Sequence, residues 1–314
     1  MTGYLIRRVG QAVVVVFVVT VIVFLLVRLL PGGPAEAILG RRATAVEKAA
    51  FNRLNGYDRP LPVQYVVYIG QLLRGNLGYS YKLSQSVTSL LGETLPKTVL
   101  LVGLSTLLAA LLAVPLGILQ AVRRNRLVDY IFTGAAFIFY AMPSFWLGLV
   151  LIELFAIRLG WLPSEAPQGS FGQVLAHPAG LVLPVATLAL VTIAQFSRYM
   201  RSSMLEQLSQ DYVRTARARG VPEWRVVTRH ALRNALVPVV TLLGLSLPWI
   251  LGGALVVESV FNFPGTGLLF WNAAQNEDYP IMLGLVLVAA VGTVLGSLFA
   301  DLMYAALDPR VRYD

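Results

Sequence analysis

The chain contains no cysteine, which excludes disulfides, thiol nucleophiles and thiolate metal sites. It has only two histidines, His177 and His230, far apart in sequence, so no histidine-based metal site is expected. Charge is scarce: Asp, Glu, Lys and Arg make up 13% of the 314 residues, against roughly 25% in a soluble domain. No Gly-x-x-x-x-Gly-Lys-Ser/Thr sequence occurs, so this chain has no P-loop for nucleotide. Apolar residues fill the space that charge leaves, at 57% of the chain and a mean hydropathy of +0.70. Such a protein is solvated by lipid over much of its surface. A formal charge of +9 would point to nucleic acid in a soluble protein. Here the placement of the charge matters more than its sum, and no nucleic-acid partner is expected.

Apolar stretches long enough to cross roughly 30 Å of hydrocarbon recur near 9–30, 98–120, 130–157, 180–200, 236–257 and 282–306. In lipid the backbone must satisfy its own hydrogen bonds, so these are read as six transmembrane helices. The short alternating segments of a β-barrel are missing. The first apolar run is longer than a signal-peptide core and ends in Leu30-Pro31-Gly32-Gly33-Pro34 rather than a small-x-small site, so it reads as an uncleaved span.

Basic residues then set the orientation. With the N-terminus inside, the inner segments hold Arg7, Arg8, Arg123, Arg124 and Arg126, eight arginines from Arg198 to Arg233, and Arg310 and Arg312. The outer loop after span three holds only Arg158, and the one after span five holds Glu258, Glu277 and Asp278 without a basic residue. The segment 31–97 carries eight basic residues, but segments of that length translocate largely regardless of charge. The expectation is an all-α, N-in/C-in membrane protein. Its parts are 1–30 (N-terminus and first span), an extracytoplasmic segment 31–97, a five-helix core 98–306 with a cytoplasmic loop 201–235, and a tail 307–314.

Within 31–97, Thr44-x-x-Glu47 has capping-box form and predicts a helix to Leu54. Pro62 opens a second, with Leu61, Tyr65, Tyr68 and Leu72 on one face. Either a small helical cap or a loop lying on the bundle fits this pattern. In the loop between spans four and five, Gly220 is placed to end one helix in the left-handed conformation and Pro222 to open a short one over about 222–230. That helix is expected to expose Trp224 and Val227 among arginines. Apolar anchors rimmed by charge suit a protein partner; an interfacial helix on anionic headgroups fits the same composition.

At this point the chain resembles a known family. The loop from Asp211 to Pro238 is similar to the EAA loop of bacterial ABC importer permeases in its dipeptide/oligopeptide (DppB/OppB-type) form. The family's Glu-Ala-Ala falls on Arg214, Thr215 and Ala216, and its glycine on Gly220. His230-Ala231-Leu232-Arg233-Asn234-Ala235 matches the subfamily form, and Arg219 stands where that form has lysine. The similarity continues in Leu30-Pro31-Gly32, Asp58-Arg59-Pro60-Leu61-Pro62-Val63-Gln64-Tyr65, Gly75-Asn76-Leu77-Gly78, Ala141-Met142-Pro143-Ser144-Phe145-Trp146 and Arg198-Tyr199-Met200-Arg201. It ends in Glu258-Ser259-Val260-Phe261, Pro264-Gly265-Thr266-Gly267, Asp278-Tyr279-Pro280 and Leu307-Asp308-Pro309-Arg310.

The resemblance implies a type I ABC importer permease fold and a non-catalytic chain. It implies a second related permease, two cytoplasmic ATPases that bind ATP and Mg, and an extracytoplasmic substrate-binding protein. The residues it places against an ATPase are Arg214, Thr215, Ala216, Arg219, Gly220, Glu223, Trp224, Arg225 and Val227. It implies di- or oligopeptide import, with nickel, glutathione or another small solute as the alternative within the family.

The translocation path is less legible. Met142-Pro143-Ser144 breaks span three, and Glu153 lies at membrane depth, where an ionisable group is a functional candidate by default. The plainer readings are a kink, a glutamate reaching the headgroups, and an Asp301 paired with an arginine near the inner face. A secondary transporter would show acids in matched positions of inverted repeats, and no such pairing occurs. A membrane hydrolase would need a catalytic cluster at one depth, and the two histidines lie in loops on opposite sides.

Overall fold

The computed structural model describes residues 2–29, 33–40, 42–237, 239, 240, 242 and 254–307. Helix α1 (Thr2–Leu29) has 28 residues, about 42 Å at 1.5 Å per residue. It leaves Val13, Val14, Phe17 and Ile22 exposed. A helix apolar on its outward face requires lipid there. Three short helices follow, α2 (Gly33–Leu39), α3 (Ala45–Leu54) and α4 (Leu61–Leu73), then a hairpin of β1 (Tyr79–Ser80) and β2 (Gln85–Ser86). The Thr44–Glu47 capping box forms in both directions. The hairpin departs from the all-helical expectation; Ser84 turns it at φ 54°.

Helix α5 (Val87–Val122) begins at Ser86, whose hydroxyl accepts from the Ser89 N–H at 3.1 Å. The span expected from 98 therefore starts eleven residues earlier, and residues 87–97 of the segment read as extramembrane are its first turns. The 36 residues of α5 measure about 54 Å, well beyond the hydrocarbon thickness. Helix α9 (Ala179–Leu208) is its main neighbour. A Cβ at Gly117 would stand 2.5 Å from Met200 Cβ, so glycine lets these two helices touch.

The expected span 130–157 is two helices. α6 (Leu127–Ala141) and α7 (Ser144–Leu151), which continues as a π-helix over Ile152–Arg158, meet at 107°. Met142 takes an extended ψ of 125°, and Pro143 has neither an N–H to continue the ladder nor tolerance for a helical residue before it. After α8 (Phe171–Ala176) and α9 come α10 (Asp211–Ala218) and α11 (Glu223–Arg225), then α12 (Leu255–Val260), α13 (Thr266–Gln275) and α14 (Tyr279–Leu307). Among the described residues four helices are long and apolar enough to cross a membrane, five if the bent pair counts as one. The expected span 236–257 falls largely outside the described residues. So do Pro238, Leu30-Pro31-Gly32, Asp308-Pro309-Arg310 and the side chain of Asp301.

The cap formed by 33–86 is tied to α1 and α14 by polar hubs. Buried Gln64 donates to the carbonyls of Tyr57 (3.0 Å) and Arg59 (2.7 Å) and accepts from Arg28 Nε at 2.9 Å. Tyr65 lies edge-on to Phe17 and Phe24 and meets the Thr20 hydroxyl at 2.9 Å. The predicted face of α4 turns inward at Tyr65, Tyr68 and Leu72, with buried Gln64 beside it; Leu61, in the first turn, is 52% exposed. Buried Ser80 donates to buried Asp278 at 2.5 Å, which fixes the hairpin to the start of α14.

Candidate functional site

At the opposite end from the cap, residues 200–237 form a preassembled surface. On α10, Val213 and Ala216 point inward while Arg214, Thr215 and Arg217 point out. The three residues at the family's Glu-Ala-Ala therefore differ physically. Ala216 is buried against the bundle; Arg214 and Thr215 are exposed. The inward residues join Met200, Met204, Val226, Ala231 and Ala235 in one cluster with the end of α5 at Ala121. The loop is thereby part of the bundle's core rather than a tether.

Helix α10 ends as expected at Gly220, with φ 75°. The Gly220 N–H donates to Arg217 O (2.9 Å) and the Val221 N–H to Ala216 O (3.2 Å), the two bonds of a Schellman stop. No atom lies within 4 Å of a Cβ built at Gly220. The need for glycine is therefore the backbone angle alone. Pro222 then starts the next helix, its carbonyl accepting from the N–H groups of Arg225 and Val226.

Two expectations change here. The helix from Glu223 does not stop near 230; it passes through a π-helical turn (Val226–Ala231) and continues to Val237. No proline or glycine lies between 223 and 237 to break it, so the helix runs on without interruption. Val227 is also not an exposed anchor. It is 7% exposed, against 64% for Trp224. Val226, Val227, Ala231 and Ala235 form the apolar stripe that faces the bundle, and position 227 falls within that stripe.

The outer face carries Trp224 with Arg214, Arg217, Arg219, Arg225, Arg229 and Arg233, and the only acids in the stretch 209–237 are Asp211 and Glu223. Arg225 lies over the Trp224 ring at 5.0 Å. Arg217 forks onto Glu223 at 3.1 and 2.5 Å. That hydrogen-bonded partner holds the Glu223 carboxyl below its ordinary range and raises Arg217. Arg214 pairs with Asp211 at 3.4 Å, and Thr215 donates to the Asp211 carbonyl at 2.9 Å.

The candidate path residues lie elsewhere. Met142, Pro143 and Ser144 form the 107° bend. Glu153 accepts from Arg158 Nε at 2.9 Å with both side chains exposed, so its charge is already paired.

Two ionic nodes were not singled out by sequence reasoning. Buried Asp129 receives both Nε and Nη2 of Arg201 at 2.7 Å and the Asn125 N–H at 3.0 Å, locking α6 to α9 and the turn before it. Its only sequence signal was an acid in the first turn of a helix after three arginines. At the cap end, fully buried Glu258 accepts from Thr98 Oγ1 (2.8 Å) and from the N–H groups of Gly267 (2.7 Å) and Leu268 (3.0 Å). It caps the start of α13 across a turn, as a carboxylate does at a helix N-terminus. A Cβ at Gly265 would collide with that carboxylate, and one at Gly267 would stand 2.5 Å from Leu255 Cα.

Comparison with known proteins gives these nodes a context. Residues 113–313 match the family described as binding-protein-dependent transport system inner membrane component, and residues 1–102 match its N-terminal counterpart. The chain belongs to this family. Among its relatives, the oligopeptide transport system permease protein AppB of Bacillus subtilis is 38% identical over all of both chains. A putative peptide permease of Brucella suis is 40% identical over 99% of each. The glutathione transport system permease protein GsiC of Salmonella typhimurium is 38% identical over all of both. The protein is thus a multi-pass permease subunit of an ABC importer of the dipeptide/oligopeptide type, a class of subunit that is not itself catalytic.

Proposed function

We propose that this permease forms half of a translocation path for di- or oligopeptides, paired with a second related permease. Two cytoplasmic ATPases, which hold ATP and Mg, drive it, and an extracytoplasmic binding protein supplies substrate. The peptide-permease names of two full-length relatives support the substrate class; the glutathione permease supports a short γ-linked peptide as the second reading. The arginine bias supports both termini and the 201–235 loop inside, with the cap outside. A helix in the 236–257 stretch and the bent α6–α7 pair would complete six spans. Substrate choice is assigned to the binding protein, and the bend at Met142-Pro143-Ser144 to the path wall.

The observation that carries the coupling role is the two-sided loop. Its inner face is buried in the bundle, so a push on it moves the bundle. Its outer face is an exposed tryptophan among arginines. The contact with an ATPase is assigned to Trp224 and Arg225, with Arg214, Thr215, Arg219 and Glu223 around them. Ala216, Gly220 and Val227 hold that surface in shape from behind. The partner groove should be acidic and apolar-floored. A buried interface tryptophan commonly contributes about 2 kcal/mol or more, roughly thirtyfold in affinity. Trp224→Ala is therefore expected to release the ATPases on purification while the chain still inserts. Full co-purification with substrate-stimulated ATP hydrolysis unchanged would remove the role.

A further inference from the structure

Between α1, α14 and the cap lies a cavity of about 430 Å³. Its walls change character along the two helices. α1 runs toward the cap and α14 away from it, so Arg28 and Tyr279 share one level and Val23 and Leu287 a deeper one. The floor is Val23, Leu283 and Leu287; the rim is Arg28, Tyr57 and Tyr68.

Among the described residues, the rim holds a cation without an anion. Arg28 stacks on the Phe24 ring at 3.4 Å and donates Nε to Gln64 (2.9 Å) and Nη1 to the Phe24 carbonyl (2.8 Å). No carboxylate pairs with it among the described residues. The Tyr68 hydroxyl, whose ring lies 5.7 Å from Phe24, is buried without a hydrogen-bond partner. A half-buried guanidinium without an anion beside a donor without an acceptor is an incomplete polar network. The ligand that completes it carries anionic oxygens at one end and hydrocarbon at the other.

We infer that this cavity binds one anionic phospholipid from the leaflet on the cap side. Its phosphate sits at Arg28, with the buried Tyr68 hydroxyl turning to donate to it, and an acyl chain runs between α1 and α14 toward Val23 and Leu287. The cavity joins the first helix to the last, so the lipid would cement the cap to the bundle. The inference does not depend on what is transported.

The test uses the purified transporter complex, delipidated and then incubated with phosphatidylglycerol or phosphatidylcholine, with retained lipid counted by native mass spectrometry. Wild type should keep one phosphatidylglycerol per copy of this chain in preference to phosphatidylcholine. Arg28→Gln should lose that preference by about tenfold, as expected for a charge-assisted contact. Tyr68→Phe, which removes one hydroxyl and no volume, should lose about threefold; it carries the test if the arginine variant fails to assemble. Leu283→Trp, filling the floor, should exclude both lipids. Equal retention of phosphatidylglycerol by wild type and Tyr68→Phe would overturn the proposal. So would displacement of the lipid by a transported peptide, which would make the cavity a substrate site.

Discussion

The two ends of this bundle are held together by ties that differ in burial. At the cap end, Glu258 is fully buried and satisfied by neutral donors, Thr98 Oγ1 and two backbone N–H groups, with Gly265 and Gly267 shaved to make room. Buried Gln64, held by two carbonyls and Arg28, and buried Ser80, held by buried Asp278, are further polar side chains enclosed at this end. At the loop end the ties are ion pairs with a side open to water: Asp129 with Arg201, whose side chain is 28% exposed, and Glu223 with Arg217. Buried, satisfied polar networks are costly to break and hold one arrangement. An exposed pair such as Glu223–Arg217 contributes less and is exchanged readily, and Arg201 opens even the buried Asp129 to one side. The difference fits a molecule whose cap end is a frame and whose loop end must take up a partner and follow it.

The sharpest way to break the comparison is at Glu258. Glu258→Leu leaves Thr98 and two helix N–H groups without acceptors, a loss on the order of 3 kcal/mol or more, and should lower the unfolding temperature in detergent markedly. Glu258→Gln, which keeps a carbonyl acceptor, should lower it less. A variant as stable as wild type would show that the cap-end network is not the frame. At the loop end, Asp129→Asn removes the charge that Arg201 forks onto. The expected loss is smaller, about 1–2 kcal/mol, and should fall on transport as well as stability, because α6 and α9 would lose their tie. Unchanged transport would mean that the ion pair is only structural. Smallest is Gly220→Val, at about 1 kcal/mol from the left-handed backbone angle. With no neighbour near position 220, Gly220→Asn should retain most function. Equal defects in the two variants, measured by transport at matched expression, would point to a contact rather than an angle.

How much of this was legible in the sequence depends on the range of each interaction. Local signals carried through: the Thr44 capping box, the Gly220 stop, the Pro143 break and the apolar runs that fall within the described residues all act over a short stretch of chain. The sequence also showed that Ala216 is the retained member of its triplet, though only the structure explains why, by burying it. What failed or was missed depends on distant neighbours. The exposure of Val227 turns on Met200 and Met204. Asp129 and Glu258 find their partners 72 and 160 residues away. The angle between α6 and α7 likewise cannot be read from a hydropathy run, which is blind to direction.

The central claim is that the outer face of the loop is uncovered in this chain and covered by an ATPase in the transporter. Because the chain has no native cysteine, a single introduced thiol reports on one position alone. To keep Trp224 intact, Arg225 at its edge is replaced by cysteine, and its labelling rate by a soluble maleimide is measured in inside-out vesicles with and without the ATPase subunits. Rapid labelling of the chain alone and at least about tenfold protection in the assembled complex are expected, as for a residue at a desolvated interface. Labelling at the same rate in both, with the ATPases demonstrably bound, would contradict it.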